Sequence, residues 1–308
     1  MRKTILTLIT TAIGAGLLTA PLAAQVQIEK RRPAPASGWI SIDNSFGSVV
    51  VKAWENPEVL VRGELAPGAE GLDLDGDEEG VDVDVEVPDA WFYASDDDSE
   101  YRSHLTVFAP SGNHVWVESL NASIEIEGFR GEVEVESVNG SVTINGSPTA
   151  VEVEGMTGSI EINATGAPMS IESISGDVVI RGAAREVEVE TVNGGVTVAG
   201  ADLESVQIET TSGNVELRGG ICPAGDEDGD VEITTFSGTV DLVLEPSVRA
   251  RFELSTFSGE IHNEIGPRSL TTERFRPYKK LRFSTGLDDC EVMVKTHDAD
   301  ISLQVEGS

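Results

Sequence analysis

The stretch Val133 to Ile144 reads VEVESVNGSVTI, and eighteen residues later Val151 to Ile162 reads VEVEGMTGSIEI. Another eighteen gives MSIESISGDVVI (Met169 to Ile180), and eighteen more gives VEVETVNGGVTV (Val187 to Val198). The series extends outward in both directions. VWVESLNASIEI (Val115 to Ile126) lies eighteen residues upstream, and VQIETTSGNVEL (Val206 to Leu217) follows with one residue of extra offset. Looser copies are VEITTFSGTVDL (Val231 to Leu242), FELSTFSGEIHN (Phe252 to Asn263), ISIDNSFGSVVV (Ile40 to Val51) and VMVKTHDADISL (Val292 to Leu303), which makes ten in all. A fixed period repeated this often is the signature of an array in which each unit packs on its neighbours.

Within a unit, apolar residues alternate with polar ones, so each half is a β-strand with one buried face. In the Val133 unit the inward set is Val133, Val135, Val142 and Ile144. A glycine recurs between the halves at Gly140, Gly158, Gly176, Gly194, Gly213, Gly238 and Gly259, marking one turn per unit. The expected fold is all-β. It is a β-solenoid of parallel β-helix type, built from about ten repeats of roughly 18 residues behind an irregular N-terminal cap. An antiparallel β-meander closed by Asn-Gly hairpins is the alternative. The apolar residue two before each glycine (Val138, Met156, Ile174, Val192, Phe236, Phe257) separates the two. A straight hairpin strand would leave it on the wet face, whereas a coil that bends there is expected to turn it inward.

The chain of 308 residues carries 54 Asp+Glu against 21 Lys+Arg, a formal net charge of −33. That balance speaks against nucleic-acid binding, which needs a basic face. Arg2 and Lys3, the apolar run Ile5 to Leu18 and the small residues up to Gln25 read as a Sec-type signal peptide over residues 1–24, cut after Ala24. An uncleaved anchor is the alternative. Residues 25–110 are expected to form the N-terminal β cap and first coil, continuous with a solenoid over 111–308. No second long apolar stretch follows, so the mature chain is expected to have no integral membrane segment and to reside in the periplasm or at the cell surface. Export permits a disulfide between Cys222 and Cys290, with two separate thiols as the alternative.

Interruptions of the repeat are where function is sought. Trp91, Phe92 and Tyr93 form either an aromatic binding platform or a cover for the end of the stack. Asp73, Asp75 and Asp77, and separately Asp226, Asp228 and Asp230, present oxygen donors at alternate positions, as a calcium site would, although neither run matches an EF-hand loop. Solvated acidic loops are the plainer reading, and no cofactor is required. On the outward face, Glu136, Glu154, Glu172, Glu190 and Glu209 are equivalent, as are Glu134, Glu152 and Glu188, so stacked coils would line them up as like-charge ladders. The basic stretch from Arg249 to Arg282 is expected either to fold back on those ladders or to dock an acidic glycan or membrane surface.

The units with the pattern [ST]-x-[NST]-G-x-[VI], following LTVFAPSGNHVWVES (Leu105 to Ser119), resemble the bacterial exported putative-adhesin domain of unknown function. This is a β-strand-repeat family related to the head-GIN adhesin-like domains. The resemblance covers roughly Trp39 to the C-terminus. It implies an adhesin-like role and brings no catalytic motif. The four histidines have no metal-type spacing, and no nucleophile elbow, P-loop or dinucleotide fingerprint is present. The expected function is that of a non-catalytic binding or scaffold protein of the cell envelope, with a glycan or a surface protein as partner. A carbohydrate-active enzyme and a purely structural component are the alternatives.

Overall fold

The computed structural model describes residues 25–89, 91, 101–182, 185–222, 229–267, 278–286 and 290–307. Each repeat is one coil of two strands, and equivalent strands stack in parallel. Val133–Asn139 lies between the first strand of the 115 unit and Val151–Thr157, which is followed by Met169–Ser175. Val142–Gly146 stacks on Ile160–Ala164 in the same way. The first strands thus make one long parallel sheet and the second strands another. Pairing within both is parallel throughout, so the antiparallel meander is excluded for the repeat.

The space between the sheets is filled by the alternating Val and Ile side chains. Val135, Val153, Ile171, Val189 and Ile208 form one stack, and Ile144, Ile162, Ile180 and Val198 another, all shielded from solvent. Burying each such side chain is worth about 1.5–3 kcal/mol, and most of that area is covered by the coil above and the coil below. The glycine corner joins the two sheets. Gly176 has φ of 136°, a conformation that L side chains rarely adopt, and a Cβ there would lie 1.9 Å from the Gly158 carbonyl oxygen. The stacking of corners therefore demands glycine.

The described residues form eleven coils, one more than the ten copies read from the sequence. The additional coil combines Gly80–Glu86 with Ser103–Pro110, two strands separated by a long insertion that hides their kinship. It sits at the N-terminal end, outside the coil of Trp39–Asp43 and Phe46–Trp54. The first coil in sequence is thus the second in space. The C-terminal end does the same. Cys290–Val305 lies between Gly229–Leu244 and the coil made by Arg251–Thr256 and Ile261–Asn263, so the last coil in sequence is the penultimate in space.

Among the described residues, antiparallel strands cover three of the four ends of the two sheets. Glu58–Leu65 pairs with Ser103–Pro110 and is itself flanked by Val26–Pro33. Gly71–Gly76 pairs with Gly80–Glu86 at one end of the first sheet, and Lys279–Ser284 with Arg251–Thr256 at the other. An exposed parallel edge is a template for pairing with another chain, and these strands occupy it. Cys222 and Cys290 are joined in a disulfide with a Cα–Cα distance of 5.9 Å, tying the start of the inserted strand to the end of an earlier coil.

Candidate functional site: a two-walled groove along the stack

The outer surface of the first sheet is grooved from end to end. In Val133–Asn139, parity sends Glu136 and Val138 outward and Ser137 inward. Pairing with the coil above runs through Gly155 opposite Ser137, skips the next position, and resumes at Thr157 opposite Asn139. The same skip recurs one and two coils further on. The chain bends at the small residue, and the side chains on either side of it splay apart. Repeated coil after coil, Glu136 and its equivalents become one wall, Val138 and its equivalents the other, and the small residues the floor.

The expectation that the apolar residue before the glycine turns inward is therefore corrected. Met156, Ile174, Val192, Phe236 and Phe257 are exposed, at 48%, 47%, 44%, 55% and 46%. The bend opens outward, so these residues keep the outward parity of the preceding glutamate. In spatial order the apolar wall runs Leu120, Val138, Met156, Ile174, Val192, Thr211, Phe236, His297, Phe257. At its C-terminal end, His297 is stacked between the rings of Phe236 (4.5 Å) and Phe257 (4.9 Å).

The facing wall is acidic. The pairing register places Asp84, Asp43, Glu118, Glu136, Glu154, Glu172, Glu190 and Glu209 in one unbroken row, continued by Thr234 and Lys295. Among the described residues, none of the carboxylates from Asp43 to Glu209 forms a salt bridge with Lys or Arg; Lys295, at the end of the row, pairs with Glu232 in the neighbouring row (2.7 Å) and also feels Glu209. The crowding shows in the acidities. Burial, together with Asp84 and Glu118, pushes the Asp43 carboxyl up to about 6. Burial, with Glu118, Glu154 and Glu134 beside it, raises Glu136 as well. Asp84 is raised by burial and by Asp73 across the strand pair.

The floor consists of Ser119, Ser137, Gly155, Ser173, Thr191, Thr210 and Thr235. Ser119 donates to the Asn44 carbonyl (3.0 Å) and Thr235 to the Ser237 carbonyl (3.1 Å). The hydroxyls of Ser137, Ser173, Thr191 and Thr210 are buried with no hydrogen-bond partner among the described residues. The groove encloses about 1130 Å³ and spans nine coils, from Asp43 to His297.

The residues singled out in the sequence lie elsewhere. Trp91 is half-buried, packed on Tyr101 (4.6 Å between ring centroids) and edge-on to Phe46 (6.4 Å), within the N-terminal cap. Phe92 and Tyr93 lie outside the described residues, as do Asp226 and Asp228. Asp73 and Asp75 stand on Gly71–Gly76 directly opposite Asp84 and Asp82. Asp75 pairs with Arg32 (3.2 Å), and Asp77 caps its turn by accepting from the Glu79 amide (2.8 Å). Asp230 accepts from the Ser205 hydroxyl (3.2 Å). Among the described residues, no three His, Cys, Asp or Glu side chains converge as a metal-holding group.

Among the described residues, the basic stretch pairs within the chain at the end coil: Lys280 and Arg282 reach Glu253, and Lys279 reaches Glu260. Arg268, Arg274 and Arg276 lie outside the described residues. His104 hydrogen-bonds Ser48 (2.8 Å) on an open sheet face, and among the described residues its ring has no carboxylate partner. The groove was not foreseen from the sequence. Its signal was present in the recurring triplets Glu136-Ser137-Val138, Glu154-Gly155-Met156, Glu172-Ser173-Ile174 and Glu190-Thr191-Val192.

Two stacked sheets with this repeat match the Toastrack DUF4097 family model over residues 39–304. The chain belongs to that family. No curated protein matches it by sequence. Among solved structures, this Toastrack chain is similar to a putative adhesin of Bacteroides fragilis, with 9% identity, 91% of this chain and 98% of that one covered, and a TM-score of 0.35. It is similar to a putative cell adhesion protein of Clostridium sporogenes, with 7% identity, coverage of 91% and 100%, and a TM-score of 0.23. A putative adhesin of Parabacteroides distasonis gives 7% identity, coverage of 91% and 98%, and a TM-score of 0.28.

Proposed function

We propose that this chain is an exported, non-catalytic binding protein of the bacterial envelope whose recognition surface is the groove of the first sheet. The observation that carries the reading is a row of carboxylates on seven consecutive coils, Asp43 to Glu209, with no salt-bridge partner among the described residues, facing an apolar wall that is continuous from Leu120 to Val192. Isolated surface apolar residues are ordinary, but a contiguous stripe of them beside a charged row is the anatomy of an interaction site. Export is supported by the leader-like residues 1–24 and by the Cys222–Cys290 bond, which suits an oxidising compartment. Trp91, held by Tyr101 and Phe46, serves the cap rather than a ligand. Asp73, Asp75 and Asp77 act as a solvated acidic edge with weak affinity for calcium.

The test is binding of purified residues 25–308 to an array of envelope glycans and surface polypeptides, in calcium and in EDTA. It is run beside Ile174→Asp, which changes the apolar wall at an exposed position. Selective binding that Ile174→Asp weakens at least tenfold, with an unchanged melt, is the expected outcome. Binding that survives this substitution removes the groove from the function. No binding at all leaves a structural role.

A further inference from the structure

Resting on the groove as the recognition surface, we propose that its occupant is an extended stretch of polypeptide in which Lys or Arg alternates with an apolar residue. Two features of the groove lead to this ligand.

The first is width. Coils stacked about 4.8 Å apart make the nine-coil groove about 38 Å long. Glu136 and Val138, on opposite walls, are two residues apart on one strand with Ser137 as floor between them, so the base of the groove is at most about 7 Å wide. One extended chain can lie along that base. An α-helix, about 10–12 Å across with its side chains, is wider than the base.

The second is the division of chemistry between the walls. Successive side chains of an extended chain point to opposite sides. A chain running along the groove thus sends odd residues to one wall and even residues to the other. One wall is carboxylate from Asp43 to Glu209 and the other is built of Leu120, Val138, Met156, Ile174 and Val192, so the complementary sequence alternates basic and apolar. The seven carboxylate coils span about 29 Å and hold about 8 or 9 residues at roughly 3.3 Å each; beyond them Lys295 stands in the row and ends the complementarity. Long Lys and Arg side chains absorb the mismatch between their spacing and that of the carboxylates. A linear polyamine would answer the acidic wall and leave the apolar one exposed. A sugar chain would stack on aromatic rings, which line the groove at its C-terminal end, at Phe236 and Phe257, while Trp116 stands in the row behind the acidic wall, where its indole donates to Glu136.

The experiment uses fluorescently labelled twelve-residue peptides and the intact mature chain at low ionic strength. The probes are an alternating Lys-Val peptide, an isomer of the same composition ordered for a helical face, and oligolysine, with spermine as competitor. The alternating peptide is expected to bind at least tenfold tighter than either comparison peptide. Ile174→Asp and the double variant Glu154→Gln/Glu172→Gln are each expected to weaken it at least tenfold without lowering the melt. Equal binding of all three peptides would reduce the groove to a charge sink and overturn the proposal. So would tighter binding of the helical isomer, complete displacement by equimolar spermine, or indifference to Ile174→Asp. If no peptide binds while a ligand from the array still depends on Ile174, the peptide proposal fails and the groove reading stands. If that ligand is also indifferent to Ile174, both fail.

Discussion

On the outer surface of the second sheet, Arg181 meets Glu161 at 2.5 Å, Lys52 meets Glu127 at 2.9 Å, Arg218 sits against Glu216, and Asn163 donates to Asn145 at 3.0 Å. On the outer surface of the first sheet, Glu118, Glu136, Glu154, Glu172, Glu190 and Glu209 follow one another with no described cation between them. Both surfaces belong to the same coils, at the same spacing, over the same interior. The coil therefore accommodates paired charges as readily as like ones. The acidic row is a property of one face and not a demand of the fold. Two unit charges about 5 Å apart repel by roughly 0.8 kcal/mol even in water, so the row carries a standing cost that the opposite surface avoids. A feature that opposes stability on one face alone points to use on that face.

The largest expected effect comes from the corner that both faces share. Gly176→Ala would set a methyl group against the Gly158 carbonyl in a left-handed conformation. It is expected to cost about 3 kcal/mol in urea unfolding, through backbone strain and displaced stacking. A loss below about 1 kcal/mol would mean that the corner yields and the two sheets are less firmly coupled than described.

The comparison itself is broken or kept by neutralising each face in turn. Glu154→Gln/Glu172→Gln/Glu190→Gln is expected to raise stability at neutral pH and low salt by about 2 kcal/mol, as the repulsions along the row disappear. On the other face, Glu161→Gln removes an exposed pair with Arg181 and is expected to lower stability by no more than about 0.5 kcal/mol. Effects of the same sign on both faces would end the distinction.

Salt and calcium sharpen the same contrast. Moving the wild-type chain from low to high salt, or adding millimolar calcium, is expected to raise its melting temperature by a few degrees through screening and counter-charge. The triple glutamine variant should lose most of that gain. Equal wild-type melts in EDTA, in high salt and in calcium would show that the row is not under strain.

A smaller effect than that of the triple variant is read by pH. Asp43 holds its proton to about pH 6 in the folded chain, against 3.8 ordinarily. Between those values the native state binds more protons than the unfolded one, so this carboxyl makes stability fall as pH rises from about 4 to 6. Glu136, also raised, acts in the same direction. Glu253, held low by Lys280 and Arg282, acts oppositely, and its contribution is lost as pH falls through its depressed value. Asp43→Asn is expected to stabilise by about 1 kcal/mol at pH 7, or about 2–4 °C, and by nothing near pH 4. A gain that persists at pH 4 would assign the effect to packing.

The interior was legible in the sequence because alternation and period are the same physical fact as burial and stacking. Val133, Val135, Val142 and Ile144 are all buried, as their spacing requires. The coil formed by Gly80–Glu86 and Ser103–Pro110 was not legible, because a long insertion separates its halves and removes the period that exposes the other coils. The spatial order of the end coils was hidden for a different reason. Repeats that resemble one another carry no record of which neighbour each prefers. The groove lay in between. Its acidic ladder was read, and so was the apolar position beside it. Alternation alone does not tell whether a bend at Ser137 closes or opens the angle between them.

The crossed order of the terminal coils has a consequence in time. In a simple stack each coil contacts only its neighbours in sequence, so any stretch of adjacent coils can close as soon as it exists. Here the slot beside Gly229–Leu244 must stay vacant until Cys290–Val305 arrives, because the coil beyond it is made from earlier residues. At the other end, Trp39–Asp43 waits for neighbours on both sides, Gly80–Glu86 and the strand from His114. The N-terminal end can close once the strand His114–Glu127 is present, whereas the C-terminal end waits for Cys290–Val305, the last strand of the chain. Both ends are latched by segments that come after the ones they enclose, and the far end is the last to be fastened.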